Sequence, residues 1–253
     1  MNKELKSFIR GWLPRRTHKH RIWSGPLRGQ WLVTSWHDYP SAILGKNERP
    51  LLDWLSQNIK PGETWLDIGS HYGYVALAMS NLVGKMGRVY AFEPMFRTAG
   101  FIQQTRQLND LPQMTIVPLA IAAPKELSMH SLSTSRGMID STIAQGDWQE
   151  PFYAARLDWL WSQICGDNPH IDGVKIDVQG MEIEAVRGMQ SLLKAHCPKL
   201  IVEVHKGVHR ETLLDLLESF GYSRQAVPVE PAEGEVDPLF LDDRSYAFRA
   251  KDS

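Results

Sequence analysis

Residues 65–74 read Trp65-Leu66-Asp67-Ile68-Gly69-Ser70-His71-Tyr72-Gly73-Tyr74. A short apolar strand runs into a Gly-x-x-x-Gly turn, and a helix pattern starts at once behind it. Gly69 lets the backbone approach a ligand, and Gly73 lets the opening helix pack closely. Asp67 stands near the strand end, where a carboxylate meets a ligand's ammonium group. Asp67, Gly69, Ser70, Tyr72 and Gly73 are therefore candidate ligand contacts. A tight βα turn without a ligand is the plain alternative for this motif alone. The turn is neither the Gly-x-Gly-x-x-Gly dinucleotide fingerprint nor a P-loop, since no Gly-Lys-Ser/Thr follows. It thus lacks the anion cradle that a phosphate-bearing cofactor needs.

Strand and helix patterns alternate outward from this turn. Before it, residues 49–59 read as a helix. Beyond it, a helix over Tyr72–Val83 ends at Gly84, a strand over Arg88–Phe92 follows, and then a helix over Arg97–Leu108. Met114–Leu119 is a third strand. Residues 124–150 look polar and irregular, with one short strand at Leu127–Leu132. Then come a helix over Arg156–Ile164, a strand over Val174–Val178 and a helix over Glu182–Lys194. A strand over Leu200–Val204 and a helix over Glu211–Phe220 follow. Tyr222–Val227 and Ser245–Ala250 close the chain as strands. Such alternation implies βαβ units, a parallel sheet and helices on both faces. Right-handed crossovers set all strand C-terminal ends on one edge, where ligands bind. The connection 228–244 has six acids, three prolines and no helix pattern. A helix-free connection favours an antiparallel pair, so the expected sheet is mostly parallel with a terminal antiparallel strand.

Three further strand ends carry candidate chemistry. Glu93 lies 93 − 69 = 24 residues after the first glycine, in Phe92-Glu93-Pro94. An acid at that distance, ending the second strand, accepts hydrogen bonds from ribose hydroxyls. Pro94, Met95 and Phe96 form an apolar wall for a base, and Leu119 and Ala120 cover its other face. The fourth strand runs Val174-Lys175-Ile176-Asp177-Val178-Gln179-Gly180-Met181-Glu182. Alternation puts Lys175 and Asp177 on one side, with Asp177 near the C-terminal end. Glu182 falls in a first helical turn, where an acid also complements the helix dipole. The fifth strand ends Val202-Glu203-Val204-His205. Charged residues in a buried parallel strand are unusual unless paired or functional. Asp177, Glu203 and His205 thus converge on one crevice, with His205 as the base and the two acids orienting it or a substrate hydroxyl. Two carboxylates and an imidazole also suit a divalent ion. The spacing is no dedicated ligand motif, however, and a metal-free site is the favoured expectation.

The bulk numbers set the frame. The chain has 253 residues, 43% hydrophobic and 23% charged, which suits one α/β domain with a full core. No stretch of about 18 apolar residues and no apolar leader stand out, and the expected location is the cytoplasm. Cys165 and Cys197 fit structural thiols. The net charge of −1 argues against a nucleic-acid binder. Residues 1–28 nevertheless carry eight Lys/Arg and one acid, +7, which leaves 20 basic and 28 acidic residues, −8, for the rest. Leu5, Phe8, Ile9, Trp12 and Leu13 share one helical face there. A helix docked on its own domain or on a second copy is the favoured reading. A membrane surface or an anionic partner is the sharper one. We divide the chain into an N-terminal arm and cap, 1–47, and a domain, 48–253. The polar segment 124–150, the acidic loop 230–243 and the arm are each candidates to cap the site.

Together these segments resemble the FkbM family of methyltransferases, from about Gly45 to Tyr222. The resemblance rests on Leu66-Asp67-Ile68-Gly69 with Gly73-Tyr74, and on Gly87-Arg88-Val89 leading to Phe92-Glu93-Pro94. Pro118-Leu119-Ala120 and Arg156-Leu157-Asp158 continue it, followed by the runs 174–182 and 202–205. It implies a Rossmann-like class I methyltransferase fold, to which the terminal antiparallel strand also fits by analogy. It also implies S-adenosylmethionine as cofactor. That cofactor is a cationic sulfonium without phosphates, consistent with the turn. The implied reaction is O-methylation of a sugar, polyketide or other small natural-product acceptor. Gln179 stands where the family usually has Glu, and Ser70-His71 replaces the commoner Ala-Asn. The first departure bears on acceptor or metal use, whereas the second is expected to leave cofactor binding intact. An NAD-dependent oxidoreductase and an inactive binding module of the same fold are the rival readings.

Overall fold

The computed structural model describes residues 12–132, 134–135, 138–139, 149–230 and 241–251. Strands β1 (His18–Arg21) and β2 (Trp31–Thr34) pair antiparallel, and two helices follow, α1 (Pro40–Ile43) and α2 (Arg49–Asn58). Strand β3 (Thr64–Ile68) feeds the glycine turn and α3 (Tyr74–Val83), then β4 (Arg88–Phe92), α4 (Phe96–Leu108) and β5 (Met114–Val117). Short strands β6 (Ala120–Ile121), β7 (Ser128–Leu132), β8 (Thr134–Ser135) and β9 (Met138–Ile139) precede β10 (Glu150–Ala155) and α5 (Leu157–Ile164). The chain continues through β11 (Gly173–Ile176), α6 (Glu182–Gly188), α7 (Gln190–His196), β12 (Lys199–Val204) and α8 (Arg210–Ser219). It ends with β13 (Tyr222–Pro228) and β14 (Arg244–Ala250).

Seven strands form the main sheet, in the order β13-β14-β12-β11-β3-β4-β5. The neighbours from β12 to β5 pair in parallel, and β14 runs antiparallel to both β12 and β13. The expected α/β fold, mostly parallel with a terminal antiparallel strand, is the one found. That strand lies inside the sheet rather than at its edge. The order reverses at β3: the chain leaves it on one side for β4 and β5, then returns on its other side as β11. The C-terminal ends of β3 and β11 therefore flank a topological switch point, where such sheets hold ligands.

Alternate strand residues feed two cores. Leu66, Ile68, Tyr90 and Phe92 join one apolar cluster with α5, α6, α7 and α8. Trp65, Val89 and Ala91 join the other, with α2, α3 and α4. Helices thus cover both faces, as the period-two pattern of a doubly buried sheet requires. Residues of the N-terminal segment complete the second cluster, since Ile22, Leu27, Leu32 and Ala42 are buried in it. Polar pairs tie β2 to α4. The Asn109 side chain accepts from Trp31 N and donates to Trp31 O, both at 2.8 Å. Thr105 Oγ1 accepts from Val33 N at 3.0 Å.

Several boundaries differ from the sequence reading. The helix expected over Glu182–Lys194 breaks at Gly188-Met189 into α6 and α7. Gly188 packs so tightly that an added Cβ would lie 2.1 Å from Ala122 O. Residues 150–155, beside the segment read as irregular, form β10, which pairs with both β6 and β7. Leu5, Phe8 and Ile9 of the expected N-terminal helical face lie outside the described residues, as do most of the acidic loop 230–243 and residues 140–148. No helix among the described residues is long and apolar enough to cross a membrane. Cys165 and Cys197 are free thiols.

Candidate active site

A cavity of about 330 Å³ opens at the C-terminal edge of β3 and β11. Ile68, Gly69 and Ser70 form its floor, and Glu93, Pro94 and Met95 line it from the end of β4. Leu119, Ala120 and Ile121 come from beyond β5, Phe152 from β10, and Asp177 and Glu203 from the ends of β11 and β12. Tyr39, Asn47 and Glu48, from the N-terminal segment, also line it. Seven separate chain regions therefore build one cleft.

The glycine turn is held by the neighbouring strand. Gly69 N and Ser70 N both donate to Phe92 O, at 3.0 and 2.9 Å. Gly69 has φ +85°, and an added Cβ would lie 1.8 Å from Asp177 O. Only glycine fits between the two central strand ends. Gly73, at φ +78°, opens α3 against Ile102.

Glu93 is 4% exposed and accepts two backbone hydrogen bonds, from His71 N at 2.8 Å and from Met95 N at 3.1 Å. Burial, with Asp67 behind it, pushes its carboxyl up to about 8 against those bonds. An acceptor so deeply placed, between a glycine turn and an apolar wall, suits a ribose diol.

Lys175 is buried between two acids, with Nζ 3.3 Å from Asp67 Oδ1 and 3.2 Å from Asp177 Oδ2. Burial pulls its ammonium down, but Asp177 and Asp67 outweigh this and raise it. Asp67 is fully buried and does not line the cavity. The expectation that it meets a ligand directly is corrected here: its carboxylate finds no hydrogen-bond donor and is compensated by the Lys175 charge. Tyr72 and Gly73 also do not line the cavity. The Tyr72 hydroxyl donates to Asp38 Oδ2 at 2.8 Å, and its ring stacks on Phe101.

Asp177, Glu203 and His205 do meet. His205 Nε2 lies 3.6 Å from both Asp177 Oδ1 and Glu203 Oε1. Its Nδ1 lies 2.6 Å from Oε1 of fully buried Glu182, which also accepts from Gly180 N at 3.0 Å. Glu182 is thus the anchor of the imidazole, a role that its place in a first helical turn did not reveal. Gln179, at φ +55°, brings its amide nitrogen 2.9 Å from His205 Nε2. Burial lowers His205, but the Glu182 hydrogen bond and the nearby Asp177 and Glu203 raise it to about 9. The acids around it favour the charged ring, whereas the Gln179 amide beside Nε2 suits a neutral one. Burial and Asp177 push Glu203 up to about 7. Asp177 stays below the ordinary carboxylate range despite burial, because Lys175 and His205 hold it there.

The part of the lining that comes from the N-terminal segment was missed at the level of individual residues. Asn47 Nδ2 donates to Tyr39 Oη at 2.6 Å and to Glu48 Oε1 at 3.0 Å, while Ser41 Oγ donates to Asn47 Oδ1 at 2.8 Å. The Tyr74 hydroxyl, also lining the cavity, is buried without a hydrogen-bond partner. No short motif marks these residues. They reach the cleft only because β1 and β2 dock on α4.

The cavity suits S-adenosylmethionine. It offers a buried acceptor at the ribose position, an apolar slot between Pro94, Met95 and Leu119, and several carboxylates for a cationic ligand. A family model described as Methyltransferase FkbM domain matches residues 67–224. The chain is 25% identical over 185 residues to the hexuronic acid methyltransferase AglP of Haloferax volcanii, covering 68% of each. Its structure is similar to that of a methyltransferase FkbM from Methylobacillus flagellatus KT, with TM-score 0.51 and 15% identity. That match covers 83% of this chain and 52% of the other, so this chain spans about half of that protein. It is likewise similar to Aeropyrum pernix fibrillarin with natively bound S-adenosyl-L-methionine, with TM-score 0.50 and 15% identity, over 92% of this chain and 88% of that one.

Proposed function

The chain belongs to the FkbM methyltransferase family, an S-adenosylmethionine-dependent class, and we propose that within it this member methylates a hydroxyl of a small polyhydroxylated acceptor, a sugar or a related natural product. The observation that carries this reading is the mixed lining of the cleft. Pro94, Met95 and Leu119 line it along with Glu93, and Tyr39, Asn47, Glu48, Asp177 and Glu203 add hydroxyl, amide and carboxylate groups. The relative named as a hexuronic acid methyltransferase supports a sugar acceptor.

S-adenosylmethionine, when bound, supplies a methyl group already activated on a sulfonium, so the chain's work is to bind, orient and accept a proton. Glu93 takes the ribose hydroxyls. Pro94, Met95, Leu119 and Ala120 enclose the base, and the Gly69-Ser70 backbone allows the amino-acid end to approach. Asp67 acts one step back, by holding Lys175, which in turn fixes Asp177. Asp177 and Glu203 line the cavity and receive the acceptor hydroxyl. Its proton passes into the cluster they form with His205, whose ring Glu182 keeps in place. Tyr39, Asn47 and Glu48 select the acceptor. Between them a phenol, an amide and a carboxylate supply both donors and acceptors for a hydroxyl.

The test is calorimetric titration with S-adenosylmethionine and S-adenosylhomocysteine, followed by transfer of labelled methyl to uronic acids, hexoses and their glycosides. Micromolar cofactor binding that weakens at least tenfold in Glu93→Ala, with label on oxygen of a sugar, is expected. Label on nitrogen, or transfer unchanged in a Glu203→Gln, Asp177→Asn double variant, would overturn the reading.

A further inference from the structure

We propose that Asp177, Glu203 and His205 form a binding site for a first-row divalent metal ion, such as Mn²⁺ or Zn²⁺, at the acceptor end of the cleft. The sequence reading favoured a metal-free cluster because no ligand spacing is visible along the chain. The fold supplies the missing spacing in space. One ligand atom from each of the three residues lies within 4.8 Å of the others. Two of the gaps, from His205 Nε2 to Asp177 Oδ1 and to Glu203 Oε1, are 3.6 Å. Ligands bonded at about 2.1 Å to one ion stand roughly 3.0–3.5 Å apart, so small side-chain adjustments close the site.

Two observations beyond the three ligands point the same way. First, His205 is tethered through its other nitrogen: Nδ1 lies 2.6 Å from Glu182 Oε1, and Glu182 is fully buried. Carboxylate support of this kind fixes ring orientation and leaves the opposite nitrogen for an ion. A histidine serving only to fill space would not need a buried acid. Second, charge around the cleft is lopsided. Asp67, Asp177, Glu48 and Glu203 act on the buried Lys175 and Glu182 pairs with His205, five acids beside two bases. Lys175 engages Asp67 Oδ1 and Asp177 Oδ2, which leaves Asp177 Oδ1 toward His205. A nitrogen donor beside two carboxylates favours Mn²⁺ or Zn²⁺ over Mg²⁺.

Gln179 links this site to the one departure in its motif. Its amide nitrogen lies 2.9 Å from His205 Nε2, and Gln179 is exposed. Binding an ion requires that amide to swing aside or to present its oxygen. The open positions of the ion face the cavity, because Asp177 and Glu203 line it. There the ion holds an acceptor oxygen and favours its ionised form. The site deepens the function proposed above, which places the acceptor hydroxyl at these carboxylates.

The experiment titrates chelator-treated full-length chain with Mn²⁺, followed by the electron paramagnetic resonance of free ion and by calorimetry. S-adenosylhomocysteine binding is measured on the same metal-free sample. One ion per chain is expected, with nitrogen modulation in the pulsed spectrum that disappears in His205→Ala. Affinity should fall about 10–100-fold in Glu182→Gln and rise several-fold in Gln179→Glu, which restores a carboxylate. Glu203→Gln serves as a second ligand variant should His205→Ala not fold. Absence of saturable Mn²⁺ and Zn²⁺ binding, or binding without nitrogen modulation, would overturn the metal site. S-adenosylhomocysteine binding in that same sample would leave the methyltransferase reading standing, so the two failures are distinguishable.

Discussion

At the scale of single residues, Glu93 shows how far position can move an acid from its ordinary behaviour. Burial carries its carboxyl from 4.5 to about 8. The folded chain then holds this proton more tightly than the unfolded chain does, so stability falls as pH climbs between those values. At about 1.4 kcal/mol per pH unit, the cost is capped at about 5 kcal/mol above pH 8. Glu93→Gln should therefore raise the urea midpoint at pH 8.5, leave it nearly unchanged at pH 5, and still weaken S-adenosylhomocysteine. An equal shift at both pH values would contradict the burial argument. Glu93 was legible in the sequence because its role depends on local spacing after a glycine turn. Glu182 was not, since its partner His205 is 23 residues away, just past the end of β12. Asp67 was legible as a strand-end acid but not as a buried partner of Lys175. That pairing depends on β3 and β11 being neighbours with Asp67 opposite Lys175.

At the scale of elements, the alternation of strand and helix was readable because β3, β4, β11 and β12 are buried and strongly apolar, with turns between them. Elements fixed by distant pairing were not. Strand β10 exists because β6 and β7 flank it, and its own alternation is interrupted by Pro151. The break between α6 and α7 falls where Gly188 packs closely on the Ala122 backbone just past β6, which no periodicity records. The junction of β3 and β11 is the strictest contact in the sheet. Gly69→Ala would force both a left-handed alanine and an overlap with Asp177 O. We expect a loss of about 3–5 kcal/mol from strain and overpacking together. The thermal midpoint and S-adenosylhomocysteine binding should fall together. A variant that kept both would show that the turn relaxes without disturbing β11.

At the scale of the whole molecule, the N-terminal segment behaves as part of the core rather than as an appendage. Ile22, Leu27 and Leu32 are buried beside α2, α3 and α4. Removing these three forgoes on the order of 5–9 kcal/mol of burial, comparable with a domain's entire stability. A chain starting at residue 48 should therefore be insoluble or lack a cooperative urea transition. A folded fragment with an unchanged midpoint would instead favour dividing the chain between residues 47 and 48. Charge and the apolar face from Leu5 to Leu13 suggested an arm, whereas the scattered anchors Ile22, Leu27 and Leu32 do not stand out in the sequence. The internal position of β14 has a consequence of another kind. Strand β12 has β11 on one side only, and β13 has no partner, until residues 244–250 have been made, because β14 lies between them. A nascent chain leaving the ribosome thus carries an open sheet edge at β12 throughout the synthesis of α8 and β13. Closure of that edge waits for β14, which is made after both strands it joins, and until then the exposed backbone is what a chaperone would meet.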